Sequence, residues 1–525
     1  MADEEVVQAV LQAGSANAAA RLLGIPAPTF KRRSGPLMRS VMTTQRAPKP
    51  VKIEPPKRGK KCFIFSSAQN GTEIHHEFLS NLEAYAAYLK APIHIAGFTY
   101  NKSLFEDHSK DTPDYHERVK PYLIAHPFDI AGKVMFCGEM NTLPTATNPL
   151  EGFEAYTRDK CGIFPHPRVQ LKSIATMFKA APKIIMTTGA VTLRNYVQRK
   201  AGIKAEFHHV IAAVLVEVDD DGDFFCRHLI AEKDGSFQDL NTRVSKGKIT
   251  HDHRVEAITW GDIHAERLDP DTAEGAWGLD TRSLKNINRA DFNIKCMLDE
   301  LEPKYQFFHD VLDFRRRNHH NLKDPHFLFE MWVKGTECVE TETMRVGEFL
   351  AATRRDWCKS LVVDSNHDRA LKRWLREADY KKDPVNARFF LSCQAALYRA
   401  IEDGDENFMI AEWAIKEYSE LDNVTFLHNT DSFVLCGIEQ ALHGDLGANG
   451  ARGAVNQFAR MGPKANIAHH HGAEIYEGIY QAGHSCKRDM VFNRGGLSSW
   501  NPSHIVTYPN GKRAIVTMQK SKWRA

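Results

Sequence analysis

Five apolar runs in the second half of this 525-residue chain each lead into side chains able to ligate a cation, and that pattern restricts the fold more than any other feature. They lead to Asp262 and His264 ("ITWGDIH"), to Asp310 and Asp313 ("YQFFHDVLD"), and to Asn366, His367 and Asp368 ("KSLVVDSNHD"). The last two lead to His443 ("SFVLCGIEQALHGD") and to His469 and His471, which flank His470 ("PKANIAHHHG"). Short apolar, β-branched runs read as buried strands, so each strand should carry its ligands on its own C-terminal tip. Taken singly, each group has an ordinary reading as a surface carboxylate, a capped helix start or a solvated imidazole. Two further Asp-x-His matches, Asp114/His116 and Asp324/His326, sit in polar or proline-broken sequence and read as surface residues. It is the order of all five runs that points to one site.

The length implies several domains. Residues 1–35 read as three short helices, with Gly24 as a turn and Lys31, Arg32 and Arg33 closing the third. This is a helix-turn-helix pattern suited to DNA; a helical hairpin used for oligomerisation is the other reading. Residues 36–60 are rich in Pro, Lys and Arg and should form an extended linker, either a solvated spacer or a segment that follows a phosphate backbone. Residues 61–254 alternate apolar runs with helical periodicity, which predicts an α/β domain with a largely parallel sheet. Within it, 208–231 reads as a hairpin whose acidic turn, Asp219 to Asp223, is solvated and binds no calcium. Residues 255–525 hold the five runs.

Ten scattered cysteines without a CxxC pair suggest neither a zinc ribbon nor a disulfide framework. The acidic, amphipathic start lacks the features of a signal peptide, and no apolar run approaches a bilayer span, so a soluble cytoplasmic protein is expected. The net charge of +3 is uninformative, because an electrostatic footprint is a local patch.

The motifs "DIH", "HDVLD", "SNHD", "HGD" and "AHHH", in that order, resemble the calcineurin-like metallophosphoesterases, whose pattern is D-x-H, G-D-x-x-D, G-N-H-D/E, H and G-H-x-H. The resemblance covers 255 to about 520 and implies a β-sandwich flanked by helices. His309, Ser365 and Ala468 stand where the family has glycines, which bears on loop geometry and substrate access. "AQNGT", "HDVLDFRRRNHH" and "HGDLGANGARGA" are further similar to the early, first-step-transfer DNA-degrading metallophosphoesterases of large-tailed bacteriophages.

By that resemblance Asp262, His264, Asp310 and His471 hold one cation, and Asp310, Asn366, His443 and His469 the other. Imidazole, carboxylate and amide ligands without thiolate suit manganese, iron or zinc better than magnesium, and the resemblance to the nucleases implies manganese. His367 would protonate or stabilise the leaving oxygen, Asp368 would orient its ring, and Asp313 would steady a ligand. His470 should point away, as alternation along a strand requires. Arg315, Arg316, Arg317 and Arg452, with the N-terminal basic residues, point to a polyanion. The expected function is a two-metal DNase degrading host DNA in the host cytoplasm. The alternatives are a phosphatase or phosphodiesterase on a nucleotide or phosphoprotein, or a DNA-binding regulator. Nuclease relatives also suggest a homo-oligomer, with no membrane partner.

Overall fold

The computed structural model describes residues 49–100, 114–282, 288–289, 296–490, 493 and 495–525, with 5–6, 9, 19–21, 23–30, 32 and 34 nearer the start. It is mixed α/β with several sheets. In the first 34 residues the described helical pieces bury Val6, Ala19, Ala20 and Phe30 together. Gly24, at φ 65°, turns the chain between 19–21 and 27–30. Arg32 is helical and exposed, while Lys31, Arg33 and linker residues 36–48 lie outside the described residues.

A five-stranded sheet opens the next region. β1 (Lys60–Gln69) leads into α1 (His76–Leu89) and β2 (Ile93–Phe98), which is parallel to β1. β3 (Ala212–Asp219) and β4 (Phe224–Ile230) form the expected hairpin. The sheet is mixed instead of largely parallel, because that hairpin adds to β1 through an antiparallel β3. β1 shows the period of two that a doubly buried strand needs: Phe63 and Phe65 enter one core, Cys62, Ile64 and Ala68 another. The acidic turn is not simply solvated. Asp219 and Asp223 are buried, and Lys522 and Lys520 reach them at 2.7 and 2.8 Å.

The first three ligand-bearing runs enter a six-stranded sheet, and the fourth and fifth enter an eleven-stranded one. β5 (Ala257–Thr259), β6 (Tyr305–His309), β7 (Lys359–Val363) and β8 (Val424–Leu427) are mutually parallel, and α2 (Asp368–Glu377) follows β7. Both faces of this sheet are covered. Ile258, Phe308, Val362 and Phe426 pack among helices with Trp277, Phe349 and Trp374, while Ala257, Phe307, Leu361 and Leu427 face the other way. β9 (Lys464–Ile467) belongs to an eleven-stranded sheet, and β10 (Ser503–Thr507) and β11 (Arg513–Thr517) close the six-stranded one as an antiparallel pair.

The eleven-stranded sheet crosses the boundary expected at 254/255. Glu474–Tyr476 pairs antiparallel with Leu171–Ile174, so a strand from each side completes one continuous sheet. A buried polar network fixes the two sheets relative to each other. The Asn466 amide of β9 donates to Thr259 of β5 (3.2 Å), Thr507 of β10 (3.2 Å) and Gln440 (3.1 Å), and its oxygen accepts from Arg513 (2.9 Å). Buried polar contacts of this kind set register where apolar packing alone tolerates sliding. Among the described residues no helix is long and apolar enough to cross a membrane.

Candidate metal centre

The loops after β5, β6, β7 and β9 meet because their backbones continue to pair beyond the strands. Ile263, His264 and Ala265 donate to the carbonyls of His309, Asp310 and Val311, extending the β5–β6 ladder into the two motif loops. Gly261 lies against Gly483 and His484 so closely that a Cβ would sit 2.6 Å from their main-chain atoms, so only glycine lets this loop settle. His469 donates its amide to Asp262 Oδ1 (3.2 Å), locking the fifth motif onto the first. His264, Asp310, Phe314, His469 and His471 all have positive φ. Strained non-glycine backbone of this kind, on the order of 1–3 kcal/mol per residue, concentrates where function requires a fixed geometry.

Asp262, His264, Asp310, His443 and His471 are buried, and Asn366 and His469 are half-buried. Their donor atoms converge, and the Nε2 atoms of His264 and His471 meet at 3.3 Å. Both Asp310 carboxylate oxygens, Asp262 Oδ2, Asn366 Oδ1 and His443 Nε2 lack a hydrogen-bond partner. Yet His443 Nε2 is 3.4 Å from Asp310 Oδ2, His471 Nε2 is 3.1 Å from Asp262 Oδ2, and His264 Nε2 is 3.7 Å from Asp310 Oδ2. Asp262, Asp310 and His471 form one cluster of donor atoms within 4.8 Å of one another, and Asp310, His443 and His469 form a second. Buried carboxylates are costly unless cations compensate them; the protonated His264 and His443 do so here, and divalent ions could take their place. These residues could therefore hold two divalent cations with Asp310 shared.

A cluster at the surface shows the contrast. Glu73, His76 and His116 also lie close together, at 3.0 and 3.1 Å. There Arg118 donates to Nδ1 of both imidazoles, from its side chain to His76 and from its backbone to His116, so each Nε2 carries the hydrogen that it gives to Glu73. Each ring nitrogen of that surface cluster has a partner, which Asp262 Oδ2, both Asp310 oxygens and His443 Nε2 lack. Asp324 of the other Asp-x-His match caps the helix Pro325–Lys334, accepting from the amides of His326 and Phe327.

Burial works against charge throughout the centre and lowers His469 to about 3. His264 and His443 go the other way: although burial opposes it, the neighbouring carboxylates hold both up at about 9. In the metal-free protein these two imidazoles keep protons that a cation must displace. Loading with Mn²⁺ at pH 8 should thus release on the order of one to two protons, with affinity falling as pH is lowered. Titration calorimetry in buffers of different ionisation enthalpy measures this, and an enthalpy independent of buffer would contradict it.

Several assigned roles need correction. Asp368 does not orient His367: its carboxylate accepts from Ser365 Oγ (2.8 Å) and the Leu312 amide (3.2 Å), and burial, with Asp310 and Asp364 nearby, raises it to about 7. His367 Nδ1 lies instead 2.7 Å from the Asp313 carbonyl, and Asp313 Oδ1 lies 3.2 Å from His264 Nδ1. One aspartate, Asp313, positions both rings. The 469–471 triplet is a bend beyond β9 and not a strand, so alternation does not govern His470; a contact of 3.2 Å to the Gly453 carbonyl holds it. The residues standing where the metallophosphoesterase pattern has glycines are absorbed. Ser365 ties down Asp368, His309 Nδ1 meets His443 Nδ1 at 3.4 Å, and Ala468 donates its amide to the His443 carbonyl. Cys486, unnoticed in the sequence, brings its thiol within 4.8 Å of His264 and His471 donor atoms, and burial keeps it protonated.

No protein-family model matches the sequence and no solved structure matches the chain. One curated protein does: over 481 residues, 89% of this chain and 84% of the other, it is 38% identical to the protein named "Protein A1" of Escherichia phage T5. The chain belongs to the family of that phage protein.

In this A1-family chain the expected DNA contacts separate into different classes. Arg316 and Arg317 are buried and committed: Arg316 to Glu266 and the Cys338 carbonyl, Arg317 to Asp383 at 2.6 and 2.9 Å. Neither is free to meet a phosphate. Replacing Arg316 with Ala should cost roughly 2 kcal/mol of stability, because it removes the charged partner of the half-buried Glu266 and the nearest guanidinium to the buried Glu342. Urea denaturation checks this, and an unchanged midpoint would argue against it. Arg315 is half-buried over the Phe327 ring, and Arg452 is exposed. The sequence reading missed a basic stripe on α2. Lys372, Arg373 and Arg376 line a cleft with His319, His320, Asn366 and His367, opening directly onto the centre. The signal was present as basic residues at helical spacing just after the third motif. Arg369 pairs with Asp364 (2.6 Å) and Asp445, clamping the third and fourth motif loops together.

Proposed function

We propose that this A1-family protein is a two-metal-dependent DNase that hydrolyses phosphodiester bonds, with host DNA as its substrate during phage infection. The observation that carries the reading is the shared, donor-free carboxylate of Asp310 between two clusters of buried ligands, with a basic cleft beside it. Imidazole, carboxylate and amide donors suit manganese, iron or zinc, and manganese is the cation proposed. Divalent cations in such a site supply Lewis acidity, activating water and neutralising phosphate charge.

The chain itself supplies the rest. Asp313 fixes the His367 ring through Nδ1, which leaves Nε2 as the atom able to pass a proton to the departing oxygen in the cleft. Lys372 and Arg376 would hold the phosphates flanking the cleaved bond.

Incubating linear, nicked and circular DNA with Mn²⁺, Mg²⁺ or chelator tests the reading. Metal-dependent digestion is expected; hydrolysis of bis-p-nitrophenyl phosphate with no digestion of any DNA would replace it with a small-substrate phosphodiesterase. The K372E/R376E variant should keep bis-p-nitrophenyl phosphate hydrolysis while the salt dependence of DNA cleavage weakens by about two in slope, roughly one per lost phosphate contact. An unchanged slope would remove α2 from the substrate path.

A further inference from the structure

A second cavity, of about 780 Å³, lies at the opposite end of the sheets from the metal centre. Lys464 starts β9, whose other end leads to His469, and Lys512 lies in the turn joining β10 to β11, beyond Thr507. Thr507 pairs with Ala257, the first residue of β5, whose last leads to Asp262. Both parts of the chain build the walls: Arg194, Phe207 and Lys233 come from before residue 254, Lys464 and Lys512 from after it.

Its charge is unbalanced. Among the described residues Arg194, Lys233, Lys464 and Lys512 form no ion pair, while the acids that line it are already engaged. Glu477 meets Arg168 (3.2 Å) and His208 (3.4 Å), and Glu232 meets Arg243 (2.5 Å). Beneath them Arg513 is buried, stacked 3.9 Å from the Tyr480 ring centroid and bonded to carbonyl and amide oxygens without a carboxylate. Burial and the neighbouring Lys464 push the Lys512 ammonium below its ordinary range. Phe207, also in the lining, is 80% exposed. Converging cations without counter-charge attract a polyanion, and an exposed ring at a concave wall gives a base a face on which to stack. The volume falls in the range of small-ligand sites.

We propose that this cavity binds a nucleotide unit, its phosphates on Lys464 and Lys512 and its base against Phe207, supplied as a free nucleotide or as part of a DNA strand. The assignment is independent of the metal centre's chemistry.

The test uses the full chain carrying K372E/R376E, so that the cleft at the metal centre contributes little, with EDTA present to prevent hydrolysis. Fluorescence anisotropy follows N-methylanthraniloyl-dATP and a short fluorescein-labelled oligodeoxynucleotide. Saturable binding of either probe is expected: dATP alone identifies a free-nucleotide site, and the oligonucleotide alone identifies a strand site. Adding K464E/K512E should weaken binding on the order of tenfold or more, as should Phe207→Ala. R194E/K233E, on exposed side chains, gives the same readout if the first pair fails to fold. All these variants should hydrolyse bis-p-nitrophenyl phosphate with Mn²⁺ as the starting protein does. No saturable binding of either probe, or equal affinity in both charge-reversed variants, overturns the proposal and leaves the metal-centre reading standing.

Discussion

Asp310→Asn should abolish metal-dependent hydrolysis, lowering activity on the order of 10³-fold, or about 4 kcal/mol of transition-state stabilisation. Asp310 is the only residue common to both ligand clusters on which the two-cation reading rests, and neither of its oxygens has a donor. An amide there offers one weaker ligand and a nitrogen that cannot coordinate. Metal content by mass spectrometry should fall from two ions to one or none. Stability gives an independent readout. Without metal, although burial opposes it, His443 and His264 hold the Asp310 carboxyl well below its ordinary range, so its charge adds stability at neutral pH and the metal-free Asn variant should be less stable than metal-free wild type. With saturating Mn²⁺ the wild type alone should gain, by about 2.7 kcal/mol at a hundredfold excess over Kd. A variant that retains two ions and full activity would refute the sharing of Asp310.

The convergence of these side chains was readable because each group sits within a few residues of an apolar run, where a period of two and a strand end suffice to place it. Ile258, Phe308 and Val362 show that period directly: alternate residues pack on opposite faces of the six-stranded sheet, and the next loop carries the ligand. What depends on distant partners was not readable. Arg316 and Arg317 read as a basic patch because Glu266 and Asp383, which bury them, lie 50 and 66 residues away. The eleven-stranded sheet was hidden for the same reason, since Leu171 meets Ile475 across a separation that local periodicity cannot report. Adjacency misled in the opposite sense at Asp368. It follows His367 in sequence, but as the first residue of α2 it turns its carboxylate to Ser365 and Leu312. His470 does turn to another partner, the Gly453 carbonyl, but not by strand alternation, which ends where β9 ends.

His367→Ala should separate chemistry from metal binding. The ring is half-buried in the cleft and fixed through Nδ1 by the Asp313 carbonyl, an arrangement suited to delivering a proton from Nε2. Its loss should slow DNA cleavage by about 10²–10⁴-fold, the usual worth of a positioned general acid. A 3′-oxygen leaves poorly unless protonated, whereas p-nitrophenolate departs without help, so hydrolysis of bis-p-nitrophenyl phosphate should fall far less. The ratio of the two effects is therefore the decisive quantity. His367 also lies within ligand reach of Asp310 and His264, and a ligand role predicts a different pattern: both substrates lost together, with metal content reduced. Asp313→Ala provides the complementary case. It removes the carboxylate beside His264 but keeps the main-chain carbonyl that holds His367, so it should weaken metal binding while leaving the ratio between the two substrates near that of wild type. Equal loss on both substrates in His367→Ala, with two ions still bound, would instead place this imidazole on the phosphate in the transition state and not on the leaving oxygen.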